Sequence, residues 1–215
     1  MQLIGMLDSP YVRRVAIALQ LLDLRFTHRS LSVFRNFDAF SRINPMVKAP
    51  TLVCSDGTVL MDSTLILQYA ESLAAPRRLS PAALPELQRD LQLTGLALAA
   101  CEKCVQIVYE ETLRPPEKQH APWVERVQGQ MSAGFAALEQ ALQRQPLSAE
   151  PGRLTQAALT VAVVWQFVQQ ARPARVPAAA HPALQALSDA AERLPAFRAA
   201  PHGDGVYPVA AAAGS

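Results

Sequence analysis

The sequence predicts an α+β chain in two parts, a small mixed-sheet domain followed by an all-helical domain. Three observations carry this. Short strand-like and helix-like segments alternate over the first part in the order β-α-β-(α)-β-β-α. The segment "APRRLSPAALP" (75–85) then interrupts the pattern with three prolines. Beyond it the hydrophobic period is helical throughout. The expected boundaries are a first domain at 1–76, a linker at 77–85, a helical domain at 86–202 and a tail at 203–215, the tail read as partly disordered.

Each element has its own signal. "QLIGM" (2–6) is a short apolar run of buried-strand type. Val12, Val15, Ala16, Leu19 and Leu22 recur at helical spacing. "LRFTHRSL" (24–31) alternates like a strand, and 34–48 reads as irregular with at most one helical turn. "TLVCS" (51–55) and "TVLM" (58–61) are strand-like, with "SDG" between them as the hairpin turn. A helix starts at Ser63, with Ile66, Tyr69, Ala70 and Leu73 on one face. In the second part, Leu87, Leu91, Leu98, Cys101, Val105 and Val108 line one side of a long helix that stops at Pro115-Pro116. Val124, Val127, Met131, Phe135, Leu138 and Leu142 mark another. "AALTVAVVWQFV" (157–168) is apolar nearly all round and belongs at the centre of a bundle. Two shorter helices follow near 182–193 and 195–200.

Composition narrows the function classes. Half of the 215 residues are hydrophobic, enough for a substantial core. A formal net charge of +2 with no dense Lys/Arg stretch gives no footprint for nucleic acid. No apolar run approaches the ~18 residues of a membrane span. No basic segment precedes the apolar start and Asp8 interrupts it, which argues against a signal peptide. Three cysteines, Cys54, Cys101 and Cys104, are an odd count and no disulfide framework. The expectation is a cytoplasmic protein. The four histidines are scattered without ligand spacing, so no metal is expected.

Three local motifs sharpen the reading. "SPYVRR" (9–14) follows the first strand, "NPMVKAPTLV" (44–53) leads into the third, and "MDSTLILQYAE" (61–71) opens a helix. In this order, ahead of a helical half, they resemble the glutathione S-transferase family over nearly the whole chain, with a serine in the active-site position as in bacterial members. The resemblance implies a thioredoxin-like βαβ–ββα domain followed by an all-α bundle. It also implies a homodimer, glutathione as co-substrate with no other cofactor, and activation of the glutathione thiolate for attack on a small hydrophobic electrophile. The alternative on the same fold is a non-catalytic glutathione-binding or protein-interaction module.

Each motif also has a plain structural reading. Pro10 suits a first helical position and Ser9 a helix N-cap. The same helix start favours an anion, and a hydroxyl there can donate to a thiolate. "SPYV" is similar to the C-P-Y-C motif of glutaredoxins with both cysteines replaced, so the site would hold a ligand's thiolate and not supply its own. On the resemblance, Ser9 is the catalytic residue and Pro50 is cis. Ala49 offers its backbone N–H and C=O to the cysteinyl part of glutathione, and Lys48 lies near a ligand carboxylate. Val47 stands where the family has glycine, and a positive φ there is costly for valine. Asp62 and Ser63 are cap candidates for their helix; the resemblance adds the γ-glutamyl group, its carboxylate on Ser63 and its ammonium on Asp62. Tyr11, Phe34 and Tyr109 are candidates for the electrophile's cleft, with core or surface packing as the alternative for each.

The second part is less specific. Cys101 and Cys104 form a C-x-x-C inside a helical pattern, not at the strand-to-helix turn of a redox site, and read as packing cysteines. "RLTQAALTVAV" (153–163) resembles the family's S/T-x-x-D capping segment, but Ala158 stands where the aspartate belongs, which predicts a weaker cap. "LPAF" (194–197) resembles its closing R-P-x-F element.

Overall fold

The computed structural model describes residues 1–207. The chain divides into two compact units, Met1–Leu79 joined by the segment from Arg193 onward, and Ser80–Glu192.

The first unit is a four-stranded mixed sheet with helices. Its strands are β1 (Gln2–Ile4), β2 (Thr27–Arg29), β3 (Thr51–Val53) and β4 (Val59–Met61), in the order β2-β1-β3-β4. β1 runs parallel to β2 and antiparallel to β3, and β3 is antiparallel to β4. Leu3 is paired with both His28 and Leu52. The parallel β1–β2 pair requires a crossover, supplied by α1 (Pro10–Leu21), whose Val12, Val15, Ala16 and Leu19 are all buried. A single short helix, α2 (Phe37–Ser41), breaks the irregular stretch before β3. α3 (Ser63–Ala74) buries Ser63, Ile66, Leu67 and Ala70. Tyr69 and Leu73, expected on that face, are exposed.

The C-terminal segment groups with this sheet unit and not with the helical half in which the sequence placed it. α8 (Pro195–Ala199) packs on α1 through Phe197, which is fully buried under the Arg13 guanidinium at 5.7 Å. Arg13 Nε donates to the Ala200 carbonyl at 2.8 Å, and Gln20 Nε2 to that of Ala196 at 3.0 Å. Further on, Tyr207 stacks on Phe26 with ring centroids 4.7 Å apart. The rest of the expected tail, 208–215, lies outside the described residues.

The second unit contains α4 (Leu84–Leu113), α5 (Ala121–Arg144), α6 (Gln156–Ala171) and α7 (Pro182–Glu192). α6 is the central helix, buried on every side from Gln156 to Trp165. The predicted stripe of α5 is observed from Val127 onward, with Met131, Phe135, Leu138 and Leu142 buried as well, while Val124 at its start is half-buried. The predicted stripe of α4 is buried only at Cys101. The inner face is Asp90, Leu93, Thr94, Ala97, Ala100, Cys101, Cys104 and Ile107; Leu87, Leu98, Val105 and Val108 are half-buried and Leu91 is 60% exposed. Small residues win this face because the helices approach closely: a Cβ on Gly134 of α5 would lie 3.0 Å from the Ala100 Cβ. By length and composition α4 could cross a membrane, a feature the sequence reading did not single out. It packs along α5 and α6 in this unit.

Buried carboxylates join the helix ends. Glu139 of α5 accepts from the backbone N–H groups of Ala183 and Leu184 at 2.9 and 3.0 Å, capping α7 from outside. At α6, Thr155 caps Ala158 N–H at 3.3 Å, and Asp90 of α4 accepts from Ala157 N–H at 3.0 Å. The carboxylate missing from the local capping segment is supplied from 67 residues away.

Candidate functional site

The site grows from the end of β1. Gly5 has φ +132°, a region open to glycine. A Cβ there would fall 2.6 Å from Val12 Cγ2 and 3.0 Å from the Ala49 Cβ. Its bare backbone lets the first turn of α1 and the loop before β3 meet at one point. Ser9 is the N-cap of α1, its Oγ accepting from Val12 N–H at 3.4 Å, with Pro10 as the first helical residue. That bond uses a lone pair of the hydroxyl and leaves its hydrogen for another acceptor.

The loop that delivers Ala49 is held from within. Buried Asn44 accepts from Met46 N–H at 3.0 Å and donates to Thr51 Oγ1 at 2.8 Å; Thr51 in turn donates to the Lys48 carbonyl at 2.7 Å. Val47 adopts φ 48°, the left-handed conformation that a β-branched residue resists. The Val47 N–H bond to the Asn44 carbonyl, at 2.9 Å, helps to hold it there. The Ala49–Pro50 peptide is cis. Pro50 is buried, Ala49 half-buried and Lys48 exposed.

The third motif meets the first through a buried arginine. Asp62, at φ 70°, caps α3, its Oδ1 accepting from Thr64 N–H at 2.9 Å. Ser63 is therefore not the cap; it is the first helical residue, 4% exposed. Its Oγ accepts from Arg14 Nη1 at 3.2 Å, and the same nitrogen donates to Thr64 Oγ1 at 3.3 Å. Of the three non-glycine residues at positive φ among the described residues, Asp23 follows α1, while Val47 and Asp62 lie in the loops that carry Ala49 and Ser63. Strain of this kind concentrates where a backbone must face a ligand.

The surroundings of Ser9 are polar. Asp8 is exposed as a residue, yet desolvation of its carboxyl pushes its pKa above the usual carboxylate value; His202, the Ser9 backbone N–H and Arg35 pull it back. Arg35 also pairs with Asp204 at 3.7 Å. On β2, buried His28 bridges Gly5 and the C-terminal segment: Tyr207 N–H donates to Nδ1 at 2.9 Å and Nε2 lies 2.7 Å from the Gly5 carbonyl. The first bond makes Nδ1 an acceptor, so the hydrogen sits on Nε2 and the ring is neutral. Burial lowers the His28 pKa, against an opposing contribution from the Gly5 carbonyl. With the folded pKa below the unfolded one, this neutral histidine contributes its stability fully above about pH 6.5. The contribution is lost as pH falls from there toward the folded pKa, because the unfolded chain takes up the proton first. Thermal melts between pH 7.5 and 5 are expected to show a downward slope that is shallower in His28→Gln. Equal slopes refute the assignment.

Of the residues singled out from sequence, Ser9, Ala49, Pro50 and Ser63 are brought around the first half of α1, with Asp62 at the α3 start and Lys48 at the loop rim. Tyr11 is half-buried beside Ser9, Phe34 is 54% exposed ahead of α2, and Tyr109 is 44% exposed on α4. Cys101 and Cys104 are buried on the inner face of α4, and burial pushes the Cys104 thiol up to about 11, far from a thiolate at neutral pH. The sequence reading missed Arg14. Its signal was an arginine one turn into an apolar helix, between Val12 and Val15 on the buried face.

Residues 3–78 match the family description "Glutathione S-transferase, N-terminal domain", and residues 121–190 match "Glutathione S-transferase, C-terminal domain". A glutathione S-transferase from Methylobacterium radiotolerans, solved with glutathione sulfonate, is 26% identical, covers 92% of each chain and superposes with a TM-score of 0.84. A glutathione transferase family member from Pseudomonas fluorescens Pf-5, solved with bound glutathione, is 27% identical over 93% of this chain and 97% of that one, with a TM-score of 0.78. The GST-like protein YibF of Escherichia coli K12 is 25% identical over 80% of this chain and 85% of its own.

Proposed function

Because the chain belongs to the glutathione S-transferase family, we propose that it binds glutathione on its first unit and activates the thiolate for attack on a small apolar electrophile. The observation that carries this reading is the convergence of three motifs on α1: Ala49 through the close approach at Gly5, Ser63 and Thr64 through Arg14, and Ser9 at the helix start itself. In this reading the cysteinyl backbone pairs with Ala49 beside Pro50, and Lys48 faces a ligand carboxylate. The γ-glutamyl carboxylate meets Ser63 and its ammonium the free side of Asp62. The thiol gives up its proton to solvent. The thiolate sits at the α1 N-terminus, against oriented N–H groups and the Ser9 hydroxyl, and forms a C–S bond. As it does so, the electrophilic carbon either loses its leaving group with the bonding pair to solvent or, in an activated alkene, opens its π bond to a carbanion that takes a proton from solvent. A reference thiol titrates near ~8.5, and lowering it by about 2 units needs roughly 3 kcal/mol of preferential thiolate stabilisation. Helix N–H groups and one hydroxyl are of the right size for that. Glutathione is the co-substrate, and no further cofactor is proposed.

Tyr11 and Phe34 offer part-exposed rings on the first unit for the electrophile. A homodimer is proposed from exposed apolar side chains on regular elements: Leu84 and Leu91 on α4, and Val59, Met61 and Leu65 on β4 and α3. A cytoplasmic location is proposed from three buried cysteine thiols, an odd count that makes no disulfide framework. The second reading, a glutathione-binding module without turnover, draws on the Ser9–Val12 bond, since a serine that only caps α1 would make the same contact.

Calorimetric titration with glutathione tests the placement. Ser63→Ala is expected to weaken binding by roughly tenfold, the loss of one hydrogen bond to a charged group. Lys48→Ala should cost less than about threefold, because an exposed, flexible lysine holds a carboxylate weakly. Equal or reversed losses count against it. A panel of electrophiles then separates transferase from binding module.

A further inference from the structure

We propose that Arg14 is a positioning residue: it turns the Ser63 and Thr64 hydroxyls into committed hydrogen-bond donors at the start of α3, and so makes that corner selective for a carboxylate. The inference rests on the reading above, in which the γ-glutamyl carboxylate lies there.

The geometry is specific. Arg14 is 2% exposed, and one terminal nitrogen, Nη1, reaches both Ser63 Oγ at 3.2 Å and Thr64 Oγ1 at 3.3 Å. That nitrogen carries two hydrogens, one for each hydroxyl, and a guanidinium can only donate. Each hydroxyl oxygen is therefore an acceptor on the Arg14 side, and its own single hydrogen must turn away. Ser63 is itself buried, and its hydroxyl has no protein acceptor for that hydrogen among the described residues. One backbone donor of the first turn is already committed, because the Thr64 N–H is taken by Asp62 Oδ1 at 2.9 Å. An arriving carboxylate thus meets hydroxyl donors backed by a buried cation, at a helix start that favours negative charge. Without Arg14 each hydroxyl is free to rotate, and a neutral acceptor or a water serves equally well. Lysine does not replace it, since a flexible point charge lacks the planar fork.

Two ligands read this out: glutathione, and 4-aminobutyryl-cysteinyl-glycine, which lacks only the γ-glutamyl carboxylate. The wild-type protein is expected to prefer glutathione by about tenfold or more. In Arg14→Met and Arg14→Lys that preference should collapse to within about threefold, with analogue binding nearly unchanged. Added to Ser63→Ala, Arg14→Met should cost no more than the further factor of about three carried through Thr64, because the Ser63 share is already gone. A merely structural role weakens both ligands by the same factor and leaves the ratio intact; that result overturns the proposal. Should the wild-type protein bind both ligands equally, the placement of the carboxylate at α3 is itself wrong, and the proposal falls with it. Thr64→Val, at an exposed position, keeps the test decisive where the Arg14 variants do not fold. A loss of about threefold in the ratio is expected, and no loss overturns the proposal.

Discussion

Asp90→Ala is expected to destabilise the helical unit by about 2–4 kcal/mol, more than loss of the local cap at the same helix. Asp90 is 3% exposed, and its Oδ1 accepts from Ala157 N–H at the start of α6. That start is buried: Gln156, Ala157 and Ala158 are all inside. Truncation leaves a buried N–H without its acceptor and removes the negative charge that faces the positive end of α6. Asp90→Asn keeps an acceptor and loses the charge, so about half of the effect should remain. Thr155→Ala, which removes the 3.3 Å bond to Ala158 N–H, should cost only about 0.5–2 kcal/mol, the usual size of a cap. Denaturant unfolding followed through the buried Trp165 decides the order. If Thr155→Ala proves the costlier change, the helix start is held locally and the long-range carboxylate is incidental.

That case also marks where the sequence was legible. "RLTQAALTVAV" located the start of α6 and its Thr155 cap, because capping chemistry is local. It predicted a weak cap because the compensating carboxylate lies on α4, where nothing in a local window announces it. The inner face of α4 departs from the expected stripe for a related reason. Leu87, Leu91 and Leu98 are the more hydrophobic side, but Ala100 is what a close helix approach at Gly134 admits, with Ala97 and the expected Cys101 beside it on the buried face. Periodicity ranks faces by hydrophobicity, whereas packing selects by size where helices are near. In the first unit β1 and β3 are buried on both faces and so read as short apolar runs, β2 alternates about buried His28, and α1 is legible from the helical spacing of Val12, Val15, Ala16 and Leu19. The three site motifs were readable from resemblance and capping chemistry together. Arg14 was not. A buried arginine reads as an interruption of an apolar face until its partners on α3 are known. α8 was assigned to the helical half because it follows helices in sequence; Arg13, Gln20 and Phe197 show that it packs on α1.

Ser9→Ala is expected to raise the pKa of the bound glutathione thiol by about 1–2 units, the equivalent of one hydrogen bond to an anion. Turnover at neutral pH should fall by roughly tenfold to a hundredfold and recover partly as pH rises, because the lost quantity is thiolate. Affinity should change less, since the γ-glutamyl and backbone contacts are proposed to lie on Ser63 and Ala49. The stability cost should be about 0.5–2 kcal/mol, and smaller for Ser9→Gly, because the observed bond to Val12 N–H is a cap in its own right. The two roles are compatible in one hydroxyl, the cap using its oxygen and the thiolate its hydrogen, so stability alone does not separate them. Ser9→Cys does. It places a thiol at the N-terminus of α1 ahead of Pro10, where oriented N–H groups lower a cysteine pKa. In oxidised glutathione that thiolate should attack the disulfide, keep one glutathionyl group as a mixed disulfide and release the other as glutathione, giving a mass increase of one glutathionyl group. A Ser9→Cys protein that stays unmodified, together with a Ser9→Ala protein whose bound thiol titrates as before, would leave Ser9 as a helix cap and move thiolate stabilisation to the backbone N–H groups of the first turn.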